Sequence, residues 1–175
     1  MIAYKLVQLL IEKKLRITTA ESCTGGMIAS KIVSVPDASK VFDAGFVTYA
    51  DFAKENMINV PGETIKKFGV VSEEVAGAMA EGAARTVTLM NTNVSLETVG
   101  GTTPDDALGA YIAVSTTGVA GPGGGSEKIP VGTVCFGFYF GGRTITATKH
   151  FEGDRQQVRI DATKYALEKV FELLS

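Results

Sequence analysis

The sequence contains no tryptophan, one histidine and only two cysteines among its 175 residues. Two cysteines are too few for the disulfide framework of a small secreted protein or for the common zinc sites. No apolar run approaches the ~20 residues that a membrane-spanning helix requires. The 17 basic and 19 acidic residues nearly cancel and form no basic stripe, which argues against a nucleic-acid partner.

A secretory signal is also missing from residues 1–14. Their positive charges follow the apolar residues instead of preceding them, and no small-residue cleavage site comes next. We therefore expect a cytoplasmic protein with no membrane partner. A chain of this length can bury one hydrophobic core, so we predict that residues 1–175 form a single domain.

Hydrophobic periodicity predicts that helices and strands alternate along the chain. Helices are predicted over 2–14, 25–33, 51–58, 73–88 and 154–174, and strands over 15–20, 46–50, 110–116, 131–140 and 143–151. Gly141-Gly142, between the last two strands, is typical of a two-residue hairpin turn. Residues 91–109 are polar and interrupted by Gly and Pro, which predicts a long loop or an inserted flap. The pattern predicts an α/β fold, a three-layer α/β/α sandwich with a mixed, mostly parallel sheet.

Three segments that are distant in sequence each follow a predicted strand directly. They are the Ser/Cys/Thr-Gly-Gly turn at 22–26, the YADFAK segment at 49–54 and the glycine-rich loop at 117–125. Ligands of open α/β sheets bind beyond the carboxyl ends of the strands. We therefore expect these three segments to meet at one edge of the sheet.

The first segment places three possible nucleophiles, Ser22, Cys23 and Thr24, before a predicted helix. Free N–H groups at a helix N-terminus, with Gly25 and Gly26 allowing close approach, would provide an oxyanion hole for acyl transfer. In the alternative interpretation, Ser22 or Thr24 only caps the helix. A thiol is the better nucleophile, but adjacent residues on a turn point in different directions, so Cys23 is expected to face the core if Ser22 faces a substrate.

A serine nucleophile needs a base, and the chain offers two candidates. His150 lies near the end of a predicted hairpin strand, where a lone histidine is more often a surface or packing residue. Lysine is the other known partner of a serine, although its free pKa of ~10.4 leaves only about 0.04% neutral at pH 7. A lysine base must therefore be buried or lie beside a cation. Lys54 is the candidate, and Tyr49 could relay a proton or hold the amine in place.

The second glycine loop, STTGVAGPGGG, matches neither the dinucleotide fingerprint nor the P-loop. It is a concave, backbone-rich segment that could hold a phosphate or a carboxamide, or it is a plain surface loop. Arg155 falls in the first turn of the last helix, where an arginine suits bidentate phosphate binding. A solvated arginine is an equally good interpretation from the sequence.

Three segments together resemble the C-terminal domain of the competence/damage-inducible protein CinA. They are TTAESCTGGMIASKIVSVPDASKVFDAGFVTYADFAK, STTGVAGPGGGSEKIPVGTV and FEGDRQQVR. The resemblance covers nearly the whole chain in order, and AESCTGG and TGxAGPxGG are its most specific motifs. Stand-alone members of this family are nicotinamide-nucleotide amidases, and larger members carry an additional N-terminal domain.

The resemblance implies deamidation of nicotinamide mononucleotide, a small-molecule nucleotide substrate, to nicotinate mononucleotide and ammonia, with no metal and no cofactor. It implies Ser22 as nucleophile, Lys54 as base and Tyr49 in support, and it favours Ser22 over Cys23. Substrate binding is expected from backbone and side-chain groups of Cys23, Thr24, Gly25, Gly26, Thr117, Gly118, Gly121, Gly123, Gly124 and Arg155. A homo-oligomer is also expected, from the resemblance and from the small residues of helix 73–88.

Two departures from the family pattern leave the substrate open. Residues 91–109 are longer than the usual connection, and Ile129 separates Lys128 from Pro130 where the family reads Lys-Pro. Two alternatives therefore stand beside the amidase: a non-catalytic nucleotide- or partner-binding domain of the same fold, and an amidase for a different substrate.

Overall fold

The computed structural model describes residues 1–90 and 110–175, so the predicted flap at 91–109 lies outside the described residues. Six helices and five strands lie along these ranges. They are α1 (Ile2–Lys13), β1 (Arg16–Glu21), α2 (Met27–Val33), β2 (Phe42–Val47), α3 (Asp51–Ile58), α4 (Gly62–Phe68), α5 (Glu73–Met90), β3 (Tyr111–Gly118), β4 (Thr133–Phe140), β5 (Arg143–His150) and α6 (Arg155–Leu174). A short 3₁₀ turn, Ala38–Lys40, precedes β2.

The five strands form one sheet in the order β2-β1-β3-β4-β5. Strand β1 pairs in parallel with both β2 and β3, and β4 pairs antiparallel with both β3 and β5. Only β4 therefore runs against the direction of the other strands. This arrangement confirms the predicted mixed, mostly parallel sheet.

Helices cover both faces of the sheet and complete the predicted three layers. On one face, α1, α2 and α6 pack over a core that includes Leu6, Ile28 and Phe136. On the other face, α5 lies against the sheet, with α3 and α4 beside it, over a core that includes Met79 and Tyr111. Helix α6 contributes apolar residues four apart, all buried: Val158, Ala162, Ala166, Val170 and Leu174.

The small-residue stripe of α5 is used inside the chain. Its members, Val75, Ala76, Met79, Ala80, Ala83 and Ala84, are all fully buried against the sheet. Ser72 caps the helix by accepting a hydrogen bond of 3.2 Å from the Val75 N–H. Because the stripe is already covered, it supplies no argument for a homo-oligomer, and that expectation rests on the family resemblance alone.

The predicted position of β2 is wrong by several residues. The sequence pattern predicts a strand over 46–50 and a loop before it, whereas the strand runs from Phe42 to Val47. Asp43 and Gly45 are poor strand formers and hide the pattern, but parallel pairing with β1 and the ion pair from Arg16 to Asp43 hold this segment extended. Tertiary pairing thus overrides local propensity.

Candidate active site

The carboxyl ends of β1, β2 and β3 converge because β1 lies between the other two. The Ser22 N–H donates to the Thr116 carbonyl at 2.9 Å, and the Thr48 N–H donates to the Glu21 carbonyl at 2.9 Å. These two bonds fix the points at which the three chains leave the sheet. The convergence that the sequence predicts for the three segments is therefore present.

A cavity of about 220 Å³ lies at this junction. It is lined by Ser22, Cys23, Tyr49, Asp51, Lys54, Val70, Val71, Thr117, Gly118, Ala120 and Arg155. Seven of the predicted site residues are in this set, drawn from four parts of the chain. Val70 and Val71, from the connection between α4 and α5, complete the wall.

The Lys54 amine lies beside the Ser22 hydroxyl, with Nζ 3.3 Å from Oγ. Lys54 is completely buried, and Ser22 is 8% exposed. The amine also donates to the Thr48 carbonyl at 2.8 Å and to the Tyr49 carbonyl at 3.4 Å. Both carbonyls are free for this role because the chain leaves β2 at Val47 and turns into α3.

Burial lowers the pKa of Lys54 below its ordinary value, because desolvation penalises the charged form. The negative charge of Asp51 and a contribution from Cys23 oppose this shift. A neutral amine has two N–H groups and one lone pair. With the N–H groups directed to the Thr48 and Tyr49 carbonyls, the lone pair is left for the Ser22 hydroxyl, which is the arrangement a general base requires.

Cys23 is suited to packing and not to attack. It is 6% exposed and belongs to the core beneath α1, α2 and α6, as the opposite orientation of adjacent turn residues predicts. Burial is the largest cause of a rise in its thiol pKa to about 11. The thiolate, which is the reactive form, is therefore scarce at neutral pH.

Sequence reasoning did not identify Glu21, which organises the turn after β1. Its side chain is completely buried and accepts four hydrogen bonds at 2.7–3.0 Å. The donors are the Thr24 hydroxyl and the N–H groups of Gly26, Ile28 and Ala29. An acidic residue just before a predicted helix was the available signal, because carboxylates favour helix N-termini.

Two of the N–H groups expected in the oxyanion hole are already hydrogen-bonded within the turn. Helix α2 begins at Met27, two residues later than predicted, and the Gly26 N–H already donates to Glu21. The Gly25 N–H donates to the Ser22 carbonyl at 3.1 Å. The two glycine N–H groups are thus engaged, which leaves those of Cys23 and Thr24 as candidate donors.

Thr24 itself is a structural residue. Its buried hydroxyl donates to Glu21 and lies 2.7 Å from the Thr116 hydroxyl, so the side chain faces the interior instead of the cavity. The backbones of Gly25 and Gly26 have left-handed φ values of 57° and 92°, which a glycine adopts without strain. Neither glycine lines the cavity.

Arg159 is the second functional residue that sequence reasoning missed. Its Nε donates to the Cys23 carbonyl and its Nη2 to the Thr24 carbonyl, each at 3.1 Å. The signal was its position one helical turn after Arg155, which puts both arginines on the same face of α6. Arg159 therefore anchors the turn after Ser22 to α6 through two backbone carbonyls.

The second glycine loop contributes unequally to the cavity. Thr117 and Gly118 line it, although the Thr117 hydroxyl donates to the Val70 carbonyl at 2.7 Å. A Cβ on Gly118 would lie 2.6 Å from the Thr133 carbonyl oxygen, so this glycine serves strand pairing. The remaining predicted binding residues of the loop, Gly121, Gly123 and Gly124, lie outside the cavity lining.

Arg155 lies at the cavity and connects two of its walls. Its Nη1 donates to the Gly121 carbonyl at 2.8 Å, and its Nη2 donates to the Tyr49 hydroxyl at 3.1 Å. The Tyr49 side chain is 63% exposed, and only the backbone carbonyl of this residue contacts the Lys54 amine. The hydroxyl is thus placed beside a cation and not between the amine and the serine.

His150, the other candidate base, stands elsewhere. Its side chain is about half exposed, at 45%, and its Nε2 lies 3.5 Å from the Glu152 carboxylate. It does not line the cavity that contains Ser22. Among the described residues, no group of His, Cys, Asp and Glu side chains is arranged to hold a metal ion. The same residues contain no helix long and apolar enough to span a membrane.

These features define an α/β protein with a buried serine–lysine pair at the carboxyl ends of its parallel strands. The family model of the CinA C-terminal domain matches residues 1–107 and 104–174. The chain therefore belongs to the CinA C-terminal domain family, and the resemblance found in its motifs is confirmed.

Relatives and solved structures agree with this assignment. A Clostridioides difficile (strain 630) relative that carries the competence-damage inducible name is 41% identical over 163 residues, 93% of this chain and 34% of that protein. A CinA superfamily crystal structure from Escherichia coli superposes with a TM-score of 0.81 at 36% identity, covering 98% of this chain and 88% of that chain. A competence or damage-inducible protein from Enterobacter asburiae gives 0.83 at 32% identity, with coverage of 99% and 96%. The chain spans about a third of the length of the curated relatives it matches.

Proposed function

We propose that this chain is an amidohydrolase that converts nicotinamide mononucleotide to nicotinate mononucleotide and ammonia, with Ser22 as nucleophile and Lys54 as base. The observation that carries the proposal is the fully buried Lys54 amine 3.3 Å from the Ser22 hydroxyl oxygen. Burying an amine costs stability unless hydrogen-bond partners compensate. A lysine with a purely structural role is therefore not expected at this position. The family resemblance supplies the substrate class.

The first half of the reaction forms an acyl-enzyme. Lys54, whose burial lowers its pKa and so favours the neutral form, accepts the Ser22 proton as the Ser22 oxygen bonds to the carboxamide carbon. The carbonyl π electrons move to oxygen, and backbone N–H groups next to Ser22 stabilise the negative charge. The carbon–nitrogen bond then breaks, and the Lys54 ammonium returns its proton to the departing nitrogen, which leaves as ammonia.

The second half releases the acid. Lys54, neutral again, takes a proton from a water molecule as the water oxygen bonds to the acyl carbon. The bond from that carbon to the Ser22 oxygen breaks, and Lys54 protonates Ser22. The product is a nicotinate carboxylic acid, which loses its proton to solvent, and the enzyme returns to its starting state.

The nucleotide phosphate is assigned to Arg155. Two of its N–H groups are used, one by the Gly121 carbonyl and one by the Tyr49 hydroxyl, and a guanidinium carries five. The remaining donors, held in a fixed plane at the cavity, suit a phosphate dianion. Arg155→Ala should therefore raise KM for the mononucleotide and change kcat less, whereas an amidase for a substrate without phosphate would show no change in KM.

The decisive experiment measures ammonia release from nicotinamide mononucleotide by the pure protein. Ser22→Ala and Lys54→Met should each reduce kcat by at least about 10³-fold, because the two groups act as a unit. Ser30→Ala and Lys66→Met are matched controls on exposed positions of α2 and α4 and should retain full activity. A wild-type protein that binds the nucleotide and releases no ammonia would instead favour the non-catalytic binding domain.

A further inference from the structure

We propose that Arg159 is a positioning residue that orients the backbone N–H groups of Cys23 and Thr24 toward the reacting oxygen. The inference rests on the proposed amidase function for its chemical meaning, while the geometry behind it is independent of that function. No contact of Arg159 with the cavity is required, since its guanidinium acts through the peptide groups of the turn. It differs in this respect from Arg155, which lines the cavity.

The planarity of the peptide bond links the Arg159 side chain to the Thr24 N–H. In a trans peptide, the carbonyl of one residue and the N–H of the next point in opposite directions. Arg159 Nε holds the Cys23 carbonyl at 3.1 Å, so the Thr24 N–H must point away from α6. Rotating this peptide group to redirect the Thr24 N–H would break the hydrogen bond from the charged Arg159 side chain to the Cys23 carbonyl.

The Cys23 N–H is fixed by a second step of the same kind. Arg159 Nη2 holds the Thr24 carbonyl at 3.1 Å, which orients the Gly25 N–H in the opposite direction, toward the Ser22 carbonyl. That bond, at 3.1 Å, fixes the peptide between Ser22 and Cys23 and with it the Cys23 N–H. One guanidinium therefore sets two successive N–H groups.

Both N–H groups point to the same side of the turn. Each lies near the Cys23 sulfur, where each lowers the thiol pKa against the larger effect of burial. Cys23 lines the cavity next to Ser22, so the two donors lie beside the nucleophile. Within residues 1–90 and 110–175, neither N–H donates to an oxygen acceptor. Their partner is the Cys23 sulfur, a weak acceptor, so the two adjacent N–H groups remain available as a concave anion site that would stabilise a tetrahedral intermediate.

The surroundings of Arg159 keep its guanidinium in place. Gln156 accepts from Nη1 at 3.2 Å, and a Cβ on Gly25 would come within 3.3 Å of Nη2. A glycine at 25 therefore leaves room for the fork of donors. Lysine at 159 would keep the positive charge but could not hold two carbonyls in one plane.

The kinetic test compares Arg159→Met and Arg159→Lys with the wild type in ammonia release from nicotinamide mononucleotide. Deleting an oxyanion donor costs about 10²–10³-fold in kcat, so loosening two of them should cost at least about tenfold, with KM changed less than about threefold. The lysine variant should recover only part of the loss, and added methylguanidinium should partly rescue the methionine variant. Arg85→Met, which removes an exposed arginine from α5, is the control and should keep full activity.

A second measurement does not depend on turnover. Residual dipolar couplings of the amides report the direction of each N–H vector, and those of Cys23 and Thr24 should change in Arg159→Met while those of β1 remain as in the wild type. Unchanged couplings at both amides, or a rise in KM with unchanged kcat, would overturn the inference. If the wild-type protein releases no ammonia, and the Cys23 and Thr24 N–H vectors still change direction in Arg159→Met, the amidase proposal is refuted and the positioning role stands.

Discussion

Replacement of Glu21 by glutamine tests whether one buried carboxylate organises the turn that carries Ser22. The two residues have the same shape, so the change removes the charge and converts one acceptor oxygen to an NH₂ donor. Oε2 accepts from the Thr24 hydroxyl and from the N–H groups of Gly26 and Ile28, and Oε1 accepts from the Ala29 N–H. All four partners are donors, so a glutamine can satisfy them only in part.

The cost can be worked from these contacts. If the remaining amide oxygen takes the three-donor position, three bonds change from charged to neutral acceptors, a loss of about 1 kcal/mol each. The amide NH₂ then faces the Ala29 N–H, and a buried donor without a partner costs about 1–3 kcal/mol. Glu21→Gln should therefore lower the free energy of unfolding by about 4–6 kcal/mol, a large fraction of the roughly 5–15 kcal/mol typical of a domain.

Guanidinium chloride unfolding, followed by circular dichroism, measures this difference. Glu12→Gln is the matched control on an exposed position of α1 and should change the unfolding free energy by less than about 0.5 kcal/mol. If Glu21→Gln does not fold, Thr24→Val removes a single donor and should cost about 1.5–3 kcal/mol. A loss below about 1 kcal/mol for Glu21→Gln would refute the reasoning, because the four bonds would then contribute little beyond solvation.

Three further predictions concern the thiol, the amine and one helix contact. With its thiol pKa raised to about 11 by burial, Cys23 should resist iodoacetamide at neutral pH, and Cys23→Ala should keep at least about a third of wild-type kcat. Burial lowers the pKa of Lys54, so the unfolded chain retains a proton that the folded protein has released. Between the folded pKa and about 10.4, the unfolding free energy of the wild type should therefore rise with pH relative to that of Lys54→Met, as denaturant titrations can show. Gly82→Ala places a Cβ 1.9 Å from the Ile58 carbonyl oxygen and should cost at least about 1–3 kcal/mol of unfolding free energy, whereas Gly123→Ala, with open space around it, should cost none.

The sequence predicted the elements that have a strong period or a clear cap. Helices α3 and α6, the α5 stripe and the Gly141-Gly142 hairpin appear where the pattern indicates. Strand β2 did not, because Asp43 and Gly45 hide a strand that exists through pairing with β1. Local propensity cannot report such pairing.

The site was predictable where its residues follow strands directly. The rule that ligands bind at strand ends predicts that Ser22 and Lys54 lie close together, although the roles proposed for them come from the family resemblance. Glu21 and Arg159 could not be assigned in the same way, since both act mainly through hydrogen bonds to backbone groups, within eight residues for Glu21 and 135–136 residues away for Arg159. Backbone carbonyl and N–H groups belong to almost every residue type. The partners of such side chains therefore show no recognisable residue pattern in the sequence.

The burial of Lys54 depends on how closely α3 approaches α5. Lys54 and Ile58 are one turn apart on α3, and both are completely buried, so they lie on its inward face. Gly82 permits this approach, because any side chain there would collide with the Ile58 carbonyl. Moving α3 outward would admit water to the Lys54 amine, raise its pKa toward the ordinary value and charge the proposed base. The proposed reactivity of Ser22 and the packing of Gly82 against α3 therefore depend on the same contact between two helices.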